Sequence, residues 1–140
     1  MLEDLHRRYG DQAEFVAVYV REAHPVGGAW PGKFKNEAGA AIHQPTQLAE
    51  RVDVAAECCK VLEISMPLLV DDVDDRVGRA YSGMPDRLYV IARGGRIAYK
   101  SGRGPFGFKP GEMEQSLVML LLDETSGRAE ADVPPEAGGR

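Results

Sequence analysis

The apolar and polar positions along the first part of the chain predict a helix, a strand and a loop. Leu2–Tyr9 is amphipathic with the helical period and is followed by Gly10, a residue common at helix ends. Residues 15–20 (FVAVYV) are β-branched, aromatic and apolar without alternation, which is typical of a strand buried on both faces in an α/β sheet. Residues 21–45 are rich in Gly and Pro and have no clear period, so we expect a long loop there.

A second amphipathic helix is predicted over residues 47–62, with Thr46 as its N-cap. Spacings of three and four assign to its apolar face Leu48, Val52, Ala55, Ala56 and Cys59. The elements predicted after it are a strand over 67–70, a short helix from Asp74 or Asp75 through Arg79, a hairpin of 87–92 and 96–100 around Arg93-Gly94-Gly95, and a helix over 110–124. This order predicts an α/β domain over residues 1–124 with a mixed sheet. The Gly- and Pro-rich residues 125–140 predict a disordered tail.

Net charge and the length of the apolar runs argue against nucleic acid and membranes as partners. The chain of 140 residues has a net charge of -5, which argues against nonspecific binding to nucleic acid because that requires a basic surface. The longest apolar run, residues 117–122, is too short to span a bilayer, and the charged residues 1–12 do not resemble a secretory signal. We therefore expect a cytoplasmic protein without a membrane or nucleic-acid partner.

The chain has two cysteines, which are adjacent in sequence. A disulfide between neighbours is strained, and Cys58 and Cys59 lack the further ligands of a zinc site at characteristic spacing. A reducing compartment is the simpler interpretation. We expect Cys59 to be a small buried apolar residue and Cys58 to be more exposed and no closer to any site, since neither begins a helix, where a thiol pKa is lowered.

Four aspartates lie close together at positions 71, 72, 74 and 75. A calcium loop would need a glycine at its sixth position and a distal glutamate, and Arg76-Val77 does not fit that pattern. Helix capping with favourable first-turn charge is the better interpretation. We therefore predict no metal and no cofactor.

Four segments resemble one known family, the iodothyronine deiodinases. Residues 19–25 (YVREAHP), followed by Trp30, are similar to a family segment that reads Tyr-Ile-x-Glu-Ala-His and ends at a nearby Trp. Residues 70–75 (VDDVDD), 87–91 (RLYVI) and 102–108 (GRGPFGF) resemble the family's Val-Asp-Thr-Met-Asp-Asn, Arg-Leu-Tyr-Val-Ile and Gly-Arg-Gly-Pro-x-Gly-Tyr. Together they extend over most of residues 2–124 and appear in the family's order.

The resemblance implies a thioredoxin-like fold and a thiol- or selenol-dependent reduction, such as reductive dehalogenation or peroxide reduction. In the family, a strand and a loop ending in selenocysteine or cysteine and Pro-Pro-Phe precede the first helix. No such segment occurs here, so we expect a domain incomplete at its N-terminus and without its central strand. A selenocysteine codon, UGA, read as a stop would explain a start at Met1. The implied partners are a thiol electron donor and a small-molecule substrate.

The resemblance also implies a set of site residues. Glu22 and His24 follow a predicted strand, at the sheet edge where sites form, and would protonate the substrate carbon that loses iodide. The alternative is a loop pair with structural hydrogen bonds. Pro85 is predicted to be a cis-proline at the wall of a groove; deiodinases tend to have an aromatic residue there, and Pro85 is closer to thioredoxins and peroxiredoxins. Arg87 either binds an acidic group of the substrate or forms a surface ion pair.

Two further positions are assigned to substrate binding with less direct matches. Trp30 corresponds to the family's tryptophan, although a loop anchor is the simpler role. The family's second histidine falls on Pro45, so His43, two residues earlier, substitutes for it only if the loop rearranges.

Three functions remain open at this stage. The chain is an oxidoreductase domain that is inactive without its nucleophile, a non-catalytic binding module of the same fold, or an incomplete gene product. If the central strand is absent, two strand edges are left unpaired, and we expect a gap, a direct pairing of the two strands, or a homo-oligomer formed through the open edge.

Overall fold

Helices and strands follow the order that the sequence predicts. A computed structural model describes residues 1–28 and 41–127 of the chain. Its elements are α1 (Leu2–Tyr9), β1 (Ala17–Tyr19), α2 (Leu48–Val61), β2 (Leu68–Val70), α3 (Arg76–Ala80), β3 (Tyr89–Ile91), β4 (Ile97–Lys100) and α4 (Pro110–Thr125). The α/β class is confirmed. The prediction of a disordered tail over 125–140 stays a prediction, since residues 128–140 lie outside the described part.

The strands form two separate sheets rather than one mixed sheet. β1 pairs with β2 in parallel, with Val18 opposite Leu69, and β3 pairs with β4 in an antiparallel hairpin. Within the described residues, no backbone pairing joins β1 to β3. The expectation of a single mixed sheet is therefore corrected to two pairs of strands. Direct pairing of β1 with β3, one of the three expected arrangements, is therefore not found among the described residues.

The separation of the two sheets has a direct effect on the burial of β1. Val16 and Val18 are 49% and 41% exposed, while Ala17 and Tyr19 are partly buried. The prediction of a strand buried on both faces is wrong for this chain. The two paired strands β1 and β2 offer too little neighbouring surface to cover both faces of β1. Some of the apolar side chains of residues 15–20 therefore stay exposed.

The predicted hairpin is confirmed. Gly94 and Gly95 adopt φ values of 84° and 87°, which residues with a Cβ rarely adopt, so the turn requires glycine at these positions. The hairpin segment contributes two of the five residues of the hydrophobic core cluster. That core consists of Leu5 from α1, Leu88 and Val90 from the β3 segment, and Met113 and Leu117 from α4.

Helix α2 departs from its prediction in two respects. Gln47, rather than Thr46, is the N-cap, and the Glu50 carboxylate accepts the Thr46 N–H at 2.9 Å. Of the predicted apolar face, Ala55 is buried, whereas Leu48 and Val52 are exposed. The position that α2 buries instead is Arg51, only 1% exposed, because its charge is neutralised by partners from a later part of the chain.

Candidate functional site

A carboxylate with both oxygens engaged lies just beyond the carboxyl end of β1. The Tyr19 hydroxyl donates to Glu22 Oε2 at 2.6 Å, and the His24 backbone N–H donates to Glu22 Oε1 at 3.1 Å. All three residues are partly buried. Glu22 therefore connects the end of β1 to the turn that contains His24. The contact with His24 is made through the backbone N–H of that residue.

The phenol of Tyr19 is held in its neutral, hydrogen-bond-donating form. Burial raises the pKa of Tyr19 well above its usual value, and the hydrogen bond to Glu22 raises it further. At neutral pH the phenol keeps its proton, so the donor to the Glu22 carboxylate is always present.

The thiol of Cys58 is coupled to the same carboxylate. Burial raises the pKa of Cys58, and the negative charge of Glu22 adds to the increase. The expectation that Cys58 is no closer to the site than Cys59 stays a prediction, and the effect of Glu22 on the Cys58 pKa argues against it. Both thiols are half-buried, so Cys59 is also less buried than expected. Cys58 is a protonated thiol at neutral pH and a weak nucleophile.

Arg51 connects α2 to the segment that follows β2. Its Nη1 donates to the backbone oxygens of Asp71 and Asp72 at 3.3 and 2.8 Å and to Asp75 Oδ1 at 2.8 Å. Arg51 lies two helical turns before Cys58 on the same side of α2, and its charge partly offsets the shift of the Tyr19 pKa. The buried guanidinium thus fixes the loop between β2 and α3 beside the strand that ends at the candidate site.

Asp71 caps the short helix α3. Its two carboxylate oxygens accept the backbone N–H groups of Val77 and Gly78 at 3.1 and 2.7 Å. Asp75 is the N-cap residue, as one of the two predicted starts requires, but its side chain forms no cap hydrogen bond and pairs with Arg51 instead. A Cβ on Gly78 would lie 3.4 Å from the Val20 side chain, so α3 sits against the end of β1.

The segment that leads into β3 carries the predicted proline. The Met84–Pro85 peptide bond is cis, as predicted. Arg87 and Asp86 are partly exposed, but Arg87 Nε and Asp86 Oδ1 are buried and have no hydrogen-bond partner among the described residues. Burial raises the pKa of the Asp86 carboxyl. None of the ion pairs among the described residues involves Arg87, and its part in substrate binding stays a prediction.

His43 is exposed, and the cavity that it lines includes none of Glu22, Pro85 and Arg87. It lines an open cavity of about 390 Å³ in front of α2, together with Ala41, Ile42, Gln44, Pro45, Thr46, Glu50, Val54 and Glu57. Trp30 lies outside the described residues. Glu22 and the His24 backbone are joined directly, while the convergence of His24, Pro85 and Arg87 on one groove stays a prediction.

Within the described residues, none of the helices has the length and apolar composition needed to cross a membrane.

Comparison with known proteins identifies the family. The family model described as iodothyronine deiodinase matches residues 2–120. The chain is 36% identical over 103 residues to a thyroxine 5-deiodinase of Gallus gallus, covering 74% of the chain and 38% of that protein. It is 32% identical over 113 residues to a thyroxine 5-deiodinase of Sparus aurata, covering 79% of the chain and 39% of that protein. Identity is also 32% over 116 residues to a type II iodothyronine deiodinase of Petromyzon marinus, covering 81% of the chain and 38% of that protein. The chain thus spans less than two fifths of the length of these relatives, and it belongs to the iodothyronine deiodinase family.

Proposed function

We propose that this chain forms the larger part of a thioredoxin-like oxidoreductase domain that removes halide from a small aromatic molecule by reduction. The reducing nucleophile, a selenol or thiol, would be carried by a strand that is not in the printed sequence and that inserts between β1 and β3. The electrons would come from a thiol donor.

The observation that carries this proposal is that no backbone pairing joins β1 to β3 among the described residues, together with the residues at the ends of these two strands. A strand that is parallel to β1 and antiparallel to β3 ends where β1 ends and where β3 begins. Glu22 and His24 follow β1, and Pro85 and Arg87 precede β3. A nucleophile placed just after such a strand would have these residues on either side, which is the edge of an α/β sheet where sites form.

The chemistry balances with two thiols for each halide removed. The nucleophile takes iodine from the aromatic carbon, the carbon–iodine bond breaks, and its electron pair stays on carbon. That carbon then takes a proton, for which His24 is the proposed donor. A first thiol attacks the resulting selenium–iodine or sulfur–iodine bond and releases iodide, and a second thiol restores the nucleophile and leaves a disulfide.

The residues near the proposed site have different roles in this scheme. Glu22 positions the turn of His24 through its backbone N–H, and Tyr19 keeps that carboxylate in place. Arg87 is partly exposed, and its guanidinium is suited to an acidic group of the substrate. Cys58 is not the proposed nucleophile, because its pKa is raised by burial and by Glu22.

The raised pKa of Cys58 favours one alternative function. If no activated nucleophile is supplied from outside the printed sequence, the same groove would bind a small aromatic molecule without turnover. The chain would then be a thioredoxin-like binding module.

The test is iodide release by a polypeptide extended upstream to include the proposed strand and nucleophile loop. With an iodinated phenol and dithiothreitol, we expect catalytic release of iodide, and His24→Ala should lower the rate by about 100-fold or more. His6→Ala is the matched control, because His6 lies on α1 and contacts Ser65. Binding of the iodinated phenol without iodide release would favour the binding module, and release unaffected by His24→Ala would contradict the assignment of His24.

A further inference from the structure

The loop between β4 and α4 presents an unusually exposed aromatic ring. Phe106 is 95% exposed, more than any other large apolar residue in the described part of the chain. Single exposed apolar side chains are common on protein surfaces and by themselves indicate nothing. The position of Phe106 and the rigidity of its loop make it informative.

The loop holds its tip in one shape. The Gly107 N–H donates to the Arg103 carbonyl oxygen at 2.7 Å, which closes a turn around residues 104–106. A Cβ on Gly107 would lie 2.3 Å from the carbonyl carbon of Gly102, so the two ends of the loop are in direct contact. Residue 106 therefore projects from a closed turn, and little backbone conformational entropy is lost when its ring contacts a ligand.

The same loop is anchored to the segment that carries the cis-proline. The Gly104 N–H donates to the Asp86 carbonyl oxygen at 3.1 Å. The Asp86 carboxylate lies over Gly104 so closely that a Cβ there would be 2.0 Å from Oδ1. Next to it, the buried Ser101 hydroxyl accepts the Leu88 N–H at 2.9 Å. These contacts place Gly104, two residues before Phe106, beside Asp86, which lies between Pro85 and Arg87.

We propose that Phe106 is a specificity-determining contact of the ligand site at Pro85 and Arg87, which selects ligands that carry an aromatic ring. This inference rests on the proposed function and deepens it: Arg87 contacts an anionic group, and Phe106 packs against a ring of the same ligand. Aromatic pairs prefer offset or edge-to-face contacts, which a ring held on a rigid turn can offer without disturbing the fold.

The test uses the intact 140-residue chain and the probe 4-phenoxyphenylacetate, which joins two rings to a carboxylate. Titration calorimetry should show saturable binding, and Phe106→Ala should raise Kd by about 3- to 10-fold, the range of one aromatic contact. Phe106→Tyr should keep Kd within about twofold, because the ring remains. Leu122→Ala, which truncates another exposed apolar residue, on α4, is the control and should leave Kd unchanged. The melting temperature of Phe106→Ala should equal that of the wild type, because the ring is almost fully exposed.

Arg87→Ala separates failure of this inference from failure of the proposed function. If Arg87→Ala abolishes binding and Phe106→Ala has no effect, the role of Phe106 is overturned and the groove stands. If the wild-type chain shows no saturable binding at millimolar probe, this inference is overturned, while the proposed function is decided separately by iodide release from the extended polypeptide. If Phe106→Ala instead removes binding to neutral phosphatidylcholine vesicles and leaves the Kd of the probe unchanged, the ring is a membrane contact and the inference is wrong.

Discussion

Replacement of Arg51 by Met should be strongly destabilising, although α2 would gain an apolar residue at a buried position. The guanidinium donates to two backbone oxygens and to Asp75 Oδ1, and its side chain is 1% exposed. Met fills similar volume but donates no hydrogen bond. The substitution therefore leaves the Asp75 carboxylate and the Asp71 carbonyl oxygen without this donor, while the Asp72 carbonyl oxygen still accepts the Asp75 N–H at 2.8 Å.

The structure allows the magnitude to be estimated. Removal of one partner from a buried ion pair costs about 3–5 kcal/mol of unfolding free energy. The Asp75 side chain is 22% exposed, so water partly compensates it, and we expect about 3 kcal/mol, at the lower end of that range. Asp75→Asn should cost less, about 1–2 kcal/mol, because Arg51 keeps both backbone acceptors.

Urea unfolding at pH 7 of the two single variants and the double variant measures these values. We expect the loss in the double variant to fall short of the sum of the single losses by about 1 kcal/mol or more, because the residues share one interaction. Arg76→Met is the matched control: Arg76 pairs with Asp74 on the surface, with an exposed side chain, and its loss should stay within about 0.5 kcal/mol. An Arg51→Met variant within that same margin of the wild type would refute the reasoning.

Three further results are expected. In a Cys59→Ser background, Glu22→Gln should lower the pKa of Cys58, because it removes a negative charge that disfavours the thiolate. The pKa is measured from the alkylation rate as a function of pH. An unchanged pH profile would show that Glu22 does not influence the Cys58 thiol. Burial raises the folded-state pKa of Asp86 above 3.8, so its stabilising contribution is present at acid pH and lost as the pH rises through that pKa. Asp86→Asn should therefore be at least as stable as the wild type at pH 7 and show no such advantage at about pH 3, and a less stable variant at pH 7 would contradict this. Among the described residues, β1 pairs on one side only, with β2, so we expect the chain to self-associate with increasing concentration in sedimentation velocity and Val18→Lys to reduce this association. A wild-type chain that is monomeric at all concentrations would contradict an open edge at β1.

The order of elements was predictable because its signals are local. Gly94-Gly95 between two apolar runs predicts the hairpin, and Pro110 before an apolar run predicts the start of α4, and both are found. The cis bond at Pro85 was predicted from the likeness of this position to thioredoxins and peroxiredoxins, since a trans bond is the usual state before proline.

The site was less predictable because its contacts join distant segments. Arg51, Ala55 and Cys58 share one face of α2, and that spacing was visible, but the acceptors of Arg51 lie 20 to 24 residues later. A reader of the sequence does not see these acceptors, so a charged residue among the buried positions of α2 is not expected. The hydrogen bond from Tyr19 to Glu22 likewise depends on how the chain turns after β1, and the sequence shows no period there.

The central claim is that a strand bearing the nucleophile completes the sheet between β1 and β3. The coding sequence immediately upstream of the Met1 codon tests it most directly. The account predicts an open frame that encodes an apolar strand and then a UGA or cysteine codon followed by codons for Pro-Pro-Phe. An unrelated in-frame stop directly before Met1, with no strand and no such codons, would contradict it.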